Sequence, residues 1–153
     1  MEAARRTTLV TRAALRFCLD QGWAPVSEVP LPDGRRADLL ALRGDGGLVI
    51  LEVKSCARDF TSDAKWRGYA AWCDAFLFAV DEDFPEALIP PDVGLVRTAG
   101  LEAALLRPPA EHALAPARRR AITQRMARLA ALRLAAALEP GAAAQARAGL
   151  RAD

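Results

Sequence analysis

Leu48 to Val53, Leu-Val-Ile-Leu-Glu-Val, is an apolar run broken only by Glu52 and closed by Lys54 and Ser55. A run of this length rich in branched residues predicts a strand covered on both faces. Residues 36–42 (RADLLAL) predict a second strand, and Arg43-Gly44-Asp45-Gly46-Gly47 between the two has the composition of a hairpin connection. Residues 75–80 (AFLFAV) predict a further buried strand, and 94–98 and 103–107 two shorter ones. Residues 24–31 carry Pro near both ends, which suits a sheet edge, and Pro32-Asp33-Gly34 then turns the chain. Helical spacing of Leu9, Ala13 and Phe17, with Leu15 and Leu19 nearby, predicts a helix capped by Thr7 or Thr8 and ended by Gly22. A second helix is expected over 62–72, capped by Thr61 or Ser62. A third is expected over 116–138, opened by Pro116, stopped by Pro140-Gly141, and carrying Ile122, Met126 and Leu129 on one stripe that Arg133 continues. Residues 143–153 are Ala-rich and are expected to fray.

Strand alternation places Glu52 and Lys54 on one face, about 6.5–7 Å apart, with Leu51 and Val53 on the other. The lysine is informative because all 21 basic residues except Lys54 and Lys65 are arginine. Position 54 therefore points to a need for a compact ammonium rather than a broad guanidinium. Asp38, 14 positions before Glu52, lies on the neighbouring predicted strand and can meet it across the hairpin. Two carboxylates in a half-buried site repel, and a hard divalent cation with oxygen ligands relieves that repulsion.

Asp38 on one strand followed by Glu52-Val53-Lys54 on the next resembles the PD-(D/E)XK nuclease superfamily. The longer series of Glu28, Gly34-Arg35-Arg36-Ala37-Asp38, LEVKS, Asp59-Phe60, Ser62-Asp63, Lys65-Trp66, Tyr69 and Cys73-Asp74 resembles the MmcB-type family of bacterial DNA-repair endonucleases, over roughly residues 5–107. Ala37 stands where the superfamily pattern has Pro, which supplies stiffness and no ligand. The resemblance implies an α/β fold with a PD-(D/E)XK restriction-endonuclease-like core, a mixed β-sheet flanked by helices, and the residue pattern adds a C-terminal helix. It implies a nuclease-like domain over 1–115, to which the residue pattern adds a basic helix over 116–140 and a tail over 141–153.

The activity it implies is Mg²⁺-dependent DNA endonuclease chemistry in repair, with Mn²⁺ as a substitute. Asp38 and Glu52 would be metal ligands together with the Val53 backbone carbonyl, and Lys54 would complete the catalytic set. Glu28 is a candidate third acid or a solvated residue. The alternative is a nuclease-fold DNA-binding or adaptor module without turnover, recruiting other repair proteins. DNA-binding candidates are Arg35, Arg36, Lys65 and Tyr69, with Lys65 and Tyr69 sharing a helix face at i, i+4, and Arg118, Arg119, Arg120 and Arg125 in the terminal helix. Asp59 and Asp63 have an equal reading as acids favouring a helix N-terminus, while Trp66 and Trp72 read as core.

Composition narrows the remaining possibilities. The chain has 153 residues, 52% hydrophobic and 26% charged, enough for one globular core. There is no long apolar run for a membrane span and no signal-peptide pattern, so a cytoplasmic protein without a membrane partner is expected. Three cysteines without C-x-x-C spacing point to reduced thiols and away from structural zinc. Cys18 and Cys73 read as core, and Cys56 lies near the candidate site. His112 is the sole histidine, in a Pro-flanked segment, and no Gly-rich phosphate loop occurs, which argues against His-based acid/base chemistry and nucleotide hydrolysis. The net charge of +2 hides an asymmetry: residues 1–115 hold 13 basic and 17 acidic residues, and 116–153 hold 8 and 2. A basic arm suits nucleic-acid phosphates, and it equally suits plain solubility.

Overall fold

The computed structural model describes residues 2–62, 66–142, 144 and 148. They fall into two compact units, residues 1–114 and 115–153. The first holds helix α1 (Glu2–Asp20), strands β1 (Ala24–Pro30), β2 (Arg36–Leu42) and β3 (Leu48–Lys54), a short helix α2 (Ala57–Ser62), a 3-10 helix (Trp66–Trp72), and strands β4 (Ala75–Asp81), β5 (Gly94–Ala99) and β6 (Glu102–Arg107). The second is built on α3 (Pro116–Leu138).

One mixed sheet runs in the order β1-β2-β3-β4-β5-β6. The β1/β2, β2/β3 and β5/β6 pairs are antiparallel, while β3/β4 and β4/β5 are parallel. A parallel step needs a crossover, and residues 55–74 supply it. Every residue of β3 is buried, as its apolar run anticipates. The odd-numbered side chains Val49, Leu51 and Val53 join Leu39, Ala41, Leu77 and Ala79 in a core with Val10, Ala14, Phe17 and Cys18 of α1. On the other face, Phe76 and Phe78 of β4 meet Phe60 and Trp66 from the crossover, with ring centroids 5.1–5.8 Å apart for the pairs Phe60–Phe78, Trp66–Phe76, Trp66–Phe78 and Phe76–Phe78. The proline-flanked β1 is an edge strand, as expected.

Two local expectations change. Helix α1 starts well before Thr7, and the Thr7 and Thr8 hydroxyls bond back to the Ala3 and Ala4 carbonyls instead of capping. A threonine hydroxyl satisfies either role, so sequence does not separate them. The crossover is also not one helix over 62–72. It is α-helical earlier, over Ala57–Ser62, and then 3-10 over Trp66–Trp72. Tight 3-10 geometry lets Trp66 and Tyr69 both turn to the sheet, since side chains at i and i+3 eclipse. Gly22 ends the chain's first helix as expected, with φ +78° and a bond from Trp23 N–H to the Cys18 carbonyl of 2.9 Å.

In the second unit, α3 spans the expected residues, and Ile122, Met126 and Leu129 are its buried positions. No helix among the described residues is long and apolar enough to cross a membrane.

Candidate active site

Pairing between β2 and β3 runs from Leu42↔Leu48 to Leu39↔Leu51. The next step toward Asp38 and Glu52 is bridged by side chains. Asp38 donates its backbone N–H to Glu52 Oε1 at 2.9 Å, and Val53 donates its backbone N–H to Asp38 Oδ2 at 2.8 Å. Each carboxylate thus satisfies a main-chain donor of the other strand, which fixes both side chains at the point where the two strands part.

Glu52 is 4% exposed and Lys54 9%, both on the β3 face shared with Leu48 and Ile50. The position beside Glu52 on β4 is Phe78, and Val80 stands beside Lys54. Burial among these apolar neighbours pushes the Glu52 carboxyl up to about 8, with the adjacent Asp38 charge adding to the effect. The Asp38 backbone N–H and the Lys54 ammonium pull the other way without winning. Burial thus favours the protonated form of Glu52.

This proton makes stability depend on pH. Between about 4.5, the ordinary value, and about 8, the folded protein holds a proton that the unfolded chain has released. Stability contributed by this group is full at the acid end of that window and is lost as pH rises through it. In the presence of a chelator, Glu52→Gln should unfold ~5 °C above the unsubstituted protein at pH 8.5, a gap that closes toward pH 4.5. Thermal scans across that range check it, and parallel curves would place Glu52 in a less costly environment.

The other candidates take different places. Glu28 lies opposite Asp38 in the β1/β2 register, between Ser27↔Leu39 and Val29↔Ala37, with a left-handed φ of +49°. Its side chain is exposed and lies 3.8 Å from Arg36, and no cluster of three or more His, Cys, Asp or Glu side chains fit for a metal forms among the described residues. The donor set that gathers is two carboxylates and the main chain at Val53. Arg35 is engaged by Asp33, and Arg36 is largely exposed at the start of β2. Tyr69 is 8% exposed, and its hydroxyl donates to the Arg36 carbonyl at 3.0 Å. It is a buried strut and offers no open surface to a nucleic acid. Lys65 and Asp63 lie outside the described residues. On α3, Arg118 and Arg120 are exposed, and Arg119 and Arg125 half-buried. Trp66 is core as expected, while Trp72 is half-buried and donates its indole N–H to Asp33 at 2.9 Å.

Several supports are not evident from sequence. Asp74 is buried and accepts the Leu48 and Leu114 backbone N–H groups at 2.7 and 2.9 Å, tying the start of β3 to the segment after β6. Ser55, next to Lys54, meets the Thr7 hydroxyl at 2.8 Å, and Arg6 holds Asp81 at the end of β4. These bonds anchor the first turns of α1 to the strand ends that carry the site. His112 bonds the Ala70 carbonyl at 2.9 Å, a structural contact.

A family model described as "DNA repair protein MmcB-like" matches residues 2–141. The chain belongs to the MmcB-like family of DNA repair proteins. A solved structure of a protein of unknown function from Silicibacter pomeroyi is 38% identical, with a TM-score of 0.84, over 89% of this chain and 93% of that one. No curated protein matches. The family assignment carries DNA repair with it. The detailed chemistry of the MmcB-like site rests on the residues just described.

Proposed function

We propose that this MmcB-like protein hydrolyses DNA phosphodiester bonds with Mg²⁺, or Mn²⁺ in its place, on the PD-(D/E)XK pattern. The observation that carries this reading is the interlocked pair of Asp38 and Glu52, two carboxyls bound to each other's strands, with Lys54 on the same face of β3 as Glu52. Burying a carboxyl against another acid is costly, and a purely structural position would be filled more stably by an apolar side chain. The hard oxygen donors suit Mg²⁺, which takes one or two carboxylates and otherwise keeps water and phosphate oxygens. Asp38, Glu52 and the Val53 carbonyl would hold the ion. When bound, it supplies Lewis acidity that lowers the pKa of water and polarises the phosphate.

The protein's own groups do the rest. Glu52, with its proton released to solvent, would serve as an anionic ligand. Asp38 stays fixed by the Val53 N–H. Lys54, confined beside Glu52, orients the attacking water and offsets negative charge that grows on the phosphate, where a fixed cation in a dry site is most effective. Glu28, turned toward Arg36, is left outside this set.

Plasmid, single-stranded, flap and four-way-junction DNA offered with each metal test the proposal. Cleavage is expected with Mg²⁺ and Mn²⁺ and not with Ca²⁺, whose looser geometry does not align the water. Cleavage of none of them, with binding that needs no metal and is unchanged in Asp38 and Glu52 variants, would leave the adaptor reading. The DNA affinity of the basic unit is separately measurable. Deleting 116–153 should flatten the log-log salt dependence of duplex binding by about 0.9 for each phosphate that the arm neutralises. An unchanged slope in a folded truncation would assign Arg118, Arg119, Arg120 and Arg125 to solubility.

A further inference from the structure

Asp38 sits in a break in the sheet on both sides. The β2/β3 register ends at Leu39↔Leu51, and the β1/β2 register passes over Glu28 and Asp38, where β1 takes a left-handed turn at φ +49°. The β1 ladder resumes at Val29↔Ala37 and Pro30↔Arg36 and holds the start of β2 from one side, while the Asp38 carboxylate accepts the Val53 N–H on the other. The 3-10 helix Trp66–Trp72 adds a second hold on the start of β2. Its Tyr69 hydroxyl donates to the Arg36 carbonyl at 3.0 Å, two residues before Asp38. The Tyr69 ring is fixed in turn, stacked on Phe76 at 5.8 Å and 11°, and Phe76 is stacked on Trp66 at 5.8 Å and 16°. On the same strap, Gly68 admits the Arg35 guanidinium where any Cβ would overlap it, and Trp72 bonds Asp33 at 2.9 Å.

We propose that Tyr69 is a positioning residue for the metal site, its buried hydroxyl pinning the Arg36 carbonyl so that Asp38 is held in place across the gap from Glu52. The inference rests on the metal-binding reading given above. It makes the crossover an indirect part of the site: the aromatic stack seats the hydroxyl, the hydroxyl seats the main chain, and the main chain seats the ligand. Outer supports of this kind typically change metal affinity about 10–100-fold when removed.

The test compares Tyr69→Phe, which deletes one oxygen and keeps the stacked ring, with Trp72→Phe, which deletes the strap's bond to Asp33 at the far side of the turn. Mn²⁺ affinity is measured by calorimetry without DNA, together with amide hydrogen exchange at Asp38 and Leu39. Both variants should melt about 2–4 °C lower, the effect of removing one hydrogen bond in a chain of this size. Tyr69→Phe alone should bind Mn²⁺ about 10-fold more weakly and exchange faster at Asp38 and Leu39. Unchanged affinity and exchange in Tyr69→Phe, with saturable binding to the unsubstituted protein, overturns the positioning role and leaves the metal reading standing. No saturable Mn²⁺ binding to the unsubstituted protein overturns both.

Discussion

Asp38→Asn and Glu52→Gln are each expected to reduce metal-dependent cleavage on the order of 10³-fold or more while the protein stays folded. The amides keep the volume of the carboxyls, and their oxygens can still accept the bonds that Val53 and Asp38 donate across the β2–β3 gap. What disappears is charge on a ligand, which a hard cation needs. Asp38→Asn, which removes a negative charge, should also tighten metal-free DNA binding, because it lowers repulsion toward phosphate. Cleavage assays paired with circular dichroism and binding isotherms check both parts. A variant that cuts at the unsubstituted rate would show that the site lies elsewhere.

The second large effect is expected at Lys54. Lys54→Arg should be nearly as damaging as Lys54→Ala, each on the order of 10²-fold in kcat. The residue is 9% exposed at the end of a strand whose positions are all buried, so the wider guanidinium has little room beside Glu52 and Val80. Retained charge in the wrong place does not restore an aligned water. Single-turnover rates at saturating DNA separate this from weakened binding, and a fast Arg variant would reduce the role of Lys54 to charge alone.

Much of this arrangement is legible in the order of residues alone. The apolar run 48–53, the hairpin composition after residue 42 and the scarcity of lysine together put Asp38, Glu52 and Lys54 on adjoining strands, with Glu52 and Lys54 on a shared face. The α3 boundaries follow from Pro116 and Pro140-Gly141, residues whose backbone restrictions act locally. The parts that are not legible depend on distant segments meeting in the folded chain. Tyr69 reads as a surface helical residue by its i, i+4 relation to Lys65, yet the 3-10 turn buries it under β2. Arg35 and Arg36 read as a basic pair, but Asp33 and Glu28 engage them. Glu28 reads as a candidate ligand because its strand neighbours Asp38. Its left-handed backbone, φ +49°, leaves no local mark in the residue itself, and its exposed side chain lies beside Arg36. The raised proton affinity of Glu52 likewise comes from burial beside Phe78 on the neighbouring strand and from Asp38, which meet it only in the folded chain.

On the proposed function, Asp38 and Glu52 hold a divalent cation. Crystals soaked in Mn²⁺ and measured at the manganese absorption edge test it most directly. An anomalous peak is expected, bounded by the Asp38 and Glu52 carboxylates and the Val53 carbonyl, and it should vanish in Glu52→Gln crystals treated alike. Saturating Mn²⁺ that leaves this position without a peak, or that binds the substituted protein there equally well, would contradict it.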